Sequence, residues 1–177
     1  MLEELERTNG INGWKRGYMT DEWGFDERLT TTTDPQELIC QFMQIGARKE
    51  IIKRRTYNTW TSTPLAVSMV DTELVTDDGW YEEVLYVKRN GEPFIFGKGN
   101  WGSKYSEEDG IGGVSGRSEV IPMTNEGALQ WCKDHMTHEQ YENFISMSLE
   151  DHRAAWEKSV ADHNREADRL NALRARK

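Results

Sequence analysis

At 177 residues, with 36% hydrophobic and 30% charged content, the chain has room for one domain with an appendage, and its seven Trp, six Tyr and five Phe argue against disorder. A formal charge of −9, from 22 Lys plus Arg against 31 Asp plus Glu, argues against a protein that coats phosphate backbones; it is explained by solubility alone and also suits a positively charged partner. No apolar run reaches the roughly 18 residues of a membrane span, the first residues are acidic, and only Cys40 and Cys132 are present. The expectation is a cytoplasmic protein with free thiols, no membrane segment and no disulfide framework.

In chain order, residues 1–33 read as an irregular arm. Leu2 to Arg7 could form a short acidic helix, and Trp14, Tyr18, Trp23 and Phe25 follow at irregular spacing as docking aromatics. Asp34-Pro35-Gln36-Glu37 is a helix start, with an Asp cap, proline at the first helical position and an acid three residues after the cap. The spacing of Leu38, Ile39, Phe42, Ile45, Ile51 and Ile52 predicts a helix over 34–54. Its end would carry Arg48, Lys49, Lys53, Arg54 and Arg55, favoured by the helix dipole and also suited to contact nucleic acid.

Tyr57 to Thr61 has the composition of a strand, and Leu65 to Val75 reads as a short helix or a second strand separated from it by Pro64. Between Asp71 and Glu83 stand Asp71, Glu73, Asp77, Asp78, Glu82 and Glu83 with no base among them, a run suited to a solvated edge or a basic partner. Asn90-Gly91 between Glu82–Arg89 and Glu92–Phe96 is the strongest hairpin signal in the chain. The glycines from Gly97 to Gly116 predict loop. Within that stretch, Gly97 to Lys104 lacks the Lys-Ser or Lys-Thr order of a phosphate loop, and Gly110 to Ser115 lacks the third glycine of a dinucleotide fingerprint.

Ser118 to Met123 reads as a short strand, and Thr124 to Gly127 opens a helix with Ala128, Leu129, Trp131 and Cys132 inward. A second short helix spans His138 to Met147 with Tyr141, Phe144 and Ile145. Cys132, His135 and His138 are too few for a tetrahedral metal site, so no metal or cofactor is expected. Leu149 to Lys177 reads as one long helix in which Leu149, Trp156, Val160, His163, Ala167 and Leu170 form a coiled-coil seam, a surface for the domain or for a homodimer. The expected fold is α+β: a small antiparallel sheet with a central β-hairpin, packed helices in a core of 34–147, and a long C-terminal helix over 148–177. No catalytic constellation stands out, so binding is expected rather than turnover.

From Arg55 to about Ile145 the order of residues is distinctive. It runs through Tyr57-Asn58-Thr59, Ala66, Tyr81 to Tyr86, Asn90 to Gly99, Tyr105, Gly116, Ile121-Pro122-Met123-Thr124 and Ala128-Leu129-Gln130-Trp131. In this order the chain resembles small proteins of phages, plasmids and other mobile elements of Gram-positive bacteria, some of which look like anti-CRISPR proteins. It departs from them at Lys98, where an acid is usual, and at Asn100, where a glycine is usual. The resemblance implies a non-enzymatic inhibitor of a host RNA-guided nuclease, binding the effector or its guide-bound complex and blocking DNA binding or cleavage. The alternative is a DNA- or RNA-binding accessory protein of a mobile element. With the acidic surface, the expected partner contacts are Asp77, Asp78, Glu82, Glu83, Glu107, Glu108 and Asp109, with Trp101 and Tyr105 as apolar anchors and the basic cluster as a contact to guide RNA or DNA.

Overall fold

A computed structural model describes residues 28–45, 47–70, 77–108 and 110–175. The Leu2–Arg7 segment, the aromatics from Trp14 to Phe25, and Asp71, Glu73 and Asp109 lie outside the described residues. The fold is α+β. Five antiparallel strands pair in the order β1-β4-β5-β6-β9, with β1 Leu29–Thr32, β4 Thr63–Val70, β5 Tyr81–Val87, β6 Pro93–Gly99 and β9 Ser118–Pro122. Two small antiparallel ribbons flank it, β2 Lys49–Ile52 with β3 Arg55–Asn58 and β7 Ser106–Glu108 with β8 Val114–Gly116. The helices are α1 Pro35–Ile45, α2 Asn125–His135, α3 His138–Ser146 and α4 Leu149–Arg174. Among the described residues no helix is long and apolar enough to cross a membrane.

The hairpin expected at Asn90-Gly91 forms. Val87 pairs with Pro93, the Gly91 amide donates to the Lys88 carbonyl, and Gly91 takes φ 85°, a left-handed conformation that glycine adopts without a Cβ clash. Alternation along β5 then divides the core. On one face, Val84 and Tyr86 join Val67, Phe94, Phe96 and Val120 beneath Leu38 of α1 and Tyr57 of β3, with Trp156 of α4 packed alongside. On the other, Leu85 joins Ala66 and Ile95 beneath Trp131, Cys132 and Met136 and beneath Tyr141 and Phe144. Tyr86 stacks on Phe94 at 5.2 Å and Tyr57 meets Phe94 edge-on at 5.5 Å, each such pair adding about 1 kcal/mol beyond its buried area.

The helix boundaries follow their caps. Asp34 Oδ1 accepts from the Gln36 amide at 2.8 Å, and Thr124 caps α2. Thr137 with Gln140 and Ser148 with Asp151 close capping boxes at α3 and α4. The N-terminal half of α4 is tied down by Arg153, which donates to the carbonyls of Lys88 and Arg89, and by Ser159, which accepts from Gln36. Of the expected seam, Leu149, Trp156 and Val160 are half-buried against the domain, whereas His163, Ala167 and Leu170 are exposed.

Several expectations are corrected. The helix over 34–54 stops at Ile45, ahead of Gly46, and the basic cluster that would have ended it lies instead on the β2–β3 ribbon. Ile52 and Tyr57 point inward there while Ile51 is 71% exposed, an alternation of period two rather than a helical face. Of the expected 57–61 strand only Tyr57 and Asn58 are extended, at the end of β3, because Thr59–Thr61 turns as a 3-10 helix. Pro64 lies inside β4 at a register shift, where a missing amide is tolerated, rather than between elements. Leu29–Thr32, expected in the irregular arm, is an edge strand paired with β4. Gly97 and Gly99 belong to β6, not to a loop: a Cβ at residue 97 would overlap Tyr105, and one at residue 99 would overlap Ser103. Leu129, expected inward, is 44% exposed.

Candidate functional site

The middle strand of the sheet carries two adjacent acids, and both are buried. Glu83 lies between Ser68 of β4 and Gly97 of β6, and glycine there lets Tyr105 fold down over the sheet. Tyr105 Oη donates to Glu83 Oε1 at 2.5 Å, and Lys104 Nζ lies 2.6 Å from the same oxygen. Trp131 Nε1 donates to Oε2 at 2.9 Å, and His135 Nε2 lies 3.0 Å from it. His135 Nδ1 is 2.8 Å from the Trp131 carbonyl, which can only accept, so that nitrogen carries a proton. Nε2 faces the Glu83 carboxylate. Burial alone would raise the Glu83 pKa. The hydrogen bond and charge of His135, together with the charge of Lys104, outweigh it and hold the carboxyl well below its ordinary value.

This node joins β5, the 100–105 loop and α2. Its four donors occupy the four lone-pair positions of the carboxylate, leaving none to take a proton from a substrate. Its role is to lock the layers. Thr31 extends the polar seam by donating to the His135 carbonyl and accepting, through its own carbonyl, from Gln140 Nε2, which ties the edge strand to α2 and α3.

Glu82 points to the opposite face. Its Oε2 lies 3.4 Å from Lys98 Nζ, while among the described residues Oε1 and the nearby buried Tyr86 hydroxyl have no hydrogen-bond partner. Burial raises the Glu82 pKa, against the opposing pull of Lys98. Burial and then the Glu82 charge raise that of Tyr86. Glu82, Glu83 and Tyr105 were expected to face a partner; all three are buried, the two acids because β5 has strands on both sides and packed layers on both faces, and Tyr105 because it folds over Gly97. The sequence signals that could have indicated this are the place of the two acids inside a hairpin strand, and the presence of Lys104 and His135 as cationic partners.

The remaining expected contacts gather at one end of the sheet. The Gly102 amide donates to the Asp78 carbonyl at 2.9 Å, Asn100 Nδ2 to the Asp77 carbonyl at 2.6 Å, and the Asn100 amide to the Trp80 carbonyl at 2.9 Å. These bonds knit the 77–80 turn to the 100–103 turn. The β7–β8 ribbon springs from the same place, anchored where the Arg117 amide donates to the Tyr105 carbonyl. Asp78, Glu107 and Glu108 are exposed and Asp77 is half-buried. Trp101 is 53% exposed. Glu107 pairs with Arg117 at 3.1 Å. Neither Asp78 nor Glu108 has an ion-pair partner among the described residues. Val114 and Ile111 add exposed apolar area on the ribbon.

The basic cluster occupies the other ribbon. Arg48 is held by Glu50 at 2.7 Å and Arg55 by Glu92 at 2.8 Å. Glu92 also accepts from Lys88 and Tyr57, and these hydrogen bonds, that of Lys88 foremost, lower its pKa to about 2. Two surface grooves border this ribbon. One, of about 330 Å³, lies between Glu50 and Ile52 and the edge strand β9 at Val120. The other, of about 660 Å³, surrounds Lys88, Glu92 and Met123. Among the described residues no three His, Cys, Asp or Glu side chains gather as metal ligands, and His135 is engaged by Glu83. Compared with protein-family models, with curated proteins and with solved structures, the chain matches none.

Proposed function

We propose that this chain is a non-enzymatic binding protein whose acidic end, formed by Asp78, Glu107, Glu108 and Trp101, engages the positively charged surface of a host RNA-guided nuclease and blocks DNA binding or cleavage. The observation that supports it is the exposure of Asp78 and Trp101 on two turns cross-bonded to one another, with Glu108 exposed on the β7–β8 ribbon beside them. An aromatic anchor flanked by uncompensated carboxylates on a pre-organised scaffold loses little entropy on binding. Such nucleases hold guide and target in basic channels, where carboxylates can compete with phosphate. The choice of a nuclease among basic partners rests on the resemblance to mobile-element proteins. The occupied lone pairs of Glu83 favour binding over turnover at the buried node.

The test is cleavage of a labelled target duplex by purified guide-loaded nucleases from Gram-positive hosts, with this protein added before or after the DNA. Inhibition of at least one nuclease at stoichiometric concentration is expected. Full cleavage by every nuclease that the protein binds would overturn the inhibitory role.

A further inference from the structure

We propose that the β2–β3 ribbon is a second binding site, one that takes the phosphodiester backbone of a single-stranded nucleic acid. Five cations lie between Arg48 and Arg55; with Arg48 and Arg55 paired to Glu50 and Glu92, Lys49, Lys53 and Arg54 remain exposed and carry no ion pair among the described residues. In a chain of net charge −9, five of the 22 Lys and Arg are thus clustered within eight residues on one ribbon.

The backbone of the ribbon points the same way. Ile52 pairs with Arg55, so Lys53 and Arg54 are the whole of a two-residue turn, at φ 49° and 65°. Such a turn needs left-handed conformations at both positions and is ordinarily made by Asn-Gly, because a side chain there is strained. Here two long cationic side chains hold those positions at the tip. Strain of this kind is kept where the side chains are needed.

The ribbon also offers a surface for bases. Its inner face is buried through Tyr57 and packed through Ile52, but Ile51 is 71% exposed on the outer face. Trp60, 65% exposed, stands at the base, where the Thr59 amide donates to the Arg48 carbonyl. Cations that track phosphates beside an exposed indole that stacks on a base are the parts of a single-strand site. Glu107 of the acidic end lines the same groove as Arg48, Glu50 and Ile52 of the ribbon, so the variants below alter Lys53, Arg54 and Trp60 on one side and Asp78 and Glu108 on the other.

The experiment is fluorescence anisotropy of the full chain with labelled oligouridylate and oligothymidylate over a series of salt concentrations. Three phosphate contacts at about 0.7 each predict a log–log salt slope near about −2, with weak binding visible at low salt. Both strands should bind within a few-fold of each other. K53N/R54G should raise Tm, since it relieves the turn, yet weaken binding roughly tenfold and flatten the slope to about −0.7. W60A should weaken binding roughly tenfold with the slope unchanged. D78K/E108K should leave this binding intact. Absence of binding at low salt, K53N/R54G binding as the parent does, or duplex DNA competing as well as single strands would overturn the proposal.

Discussion

Tyr105 lies across the backbone of Gly97, and its hydroxyl reaches Glu83 on the neighbouring strand only because residue 97 has no side chain. Alanine in a strand interior ordinarily improves on glycine by roughly 0.5–1 kcal/mol. Here the sign should reverse, because the added methyl displaces the ring and breaks the bond to a buried carboxylate. G97A should lose about 3 kcal/mol in urea denaturation at pH 7. An unchanged or higher midpoint would mean that Tyr105 does not occupy this place.

Glu82 and Glu83 are sequence neighbours in opposite electrostatic situations, and their amides should behave oppositely. E83Q leaves half-buried Lys104 and buried His135 without the carboxylate they share and should cost about 3 kcal/mol. Burial raises the Glu82 pKa and one of its oxygens is unpartnered, so E82Q should leave stability at pH 7 unchanged or increase it. Equal losses for the two variants would contradict the assignment.

Glu92 should shape the acid limb of stability. Its folded pKa, about 2, lies below the ordinary 4.5. The carboxylate therefore contributes stability above pH 4.5 that is lost as pH falls from 4.5 toward 2. Glu83 is also held down and acts with the same sign, so E92Q should flatten part of the fall in Tm below pH 4.5 and lower Tm at neutral pH. A profile that stays parallel to that of the parent would contradict this.

The two cysteines should separate cleanly by reactivity. Cys40 is exposed, whereas Cys132 is buried beside Trp131 and its thiol is pushed up to about 12 by burial. A thiol reagent at pH 8 should titrate one group quickly in native protein and the second only on unfolding. Two fast groups would mean that α2 does not pack Cys132 against Ala66, Leu85 and Ile95 of the sheet.

Much of the fold was legible because its signals are local. Asn90-Gly91 specifies a turn by its own conformational preference, and Asp34, Thr124 and Ser148 cap helices within a few residues of themselves. What escaped depends on distant partners. Gly97 and Gly99 read as loop because glycine signals freedom, and only the approach of Tyr105 and Ser103 explains them as strand. The Lys53-Arg54 turn lacks the residues that announce one, so Ile51 and Ile52 were absorbed into a helical period. Consecutive acids usually face water, and although Asn90-Gly91 places Glu82 and Glu83 in a hairpin strand, the outer neighbour β4 and the cations Lys104 and His135 that bury them come from distant segments. Of the candidate site, Asp78, Trp101, Glu107 and Glu108 were legible as surface because polar turn segments stay outside.

The most direct test of the central claim is charge reversal at the two exposed, uncompensated acids. D78K/E108K breaks no ion pair among the described residues and should unfold as the parent does. Against a guide-loaded nuclease that the parent inhibits, the variant should lose capture and restore cleavage, with affinity falling at least about tenfold as like charges meet. If D78K/E108K binds and inhibits as the parent does, the acidic end is not the contact.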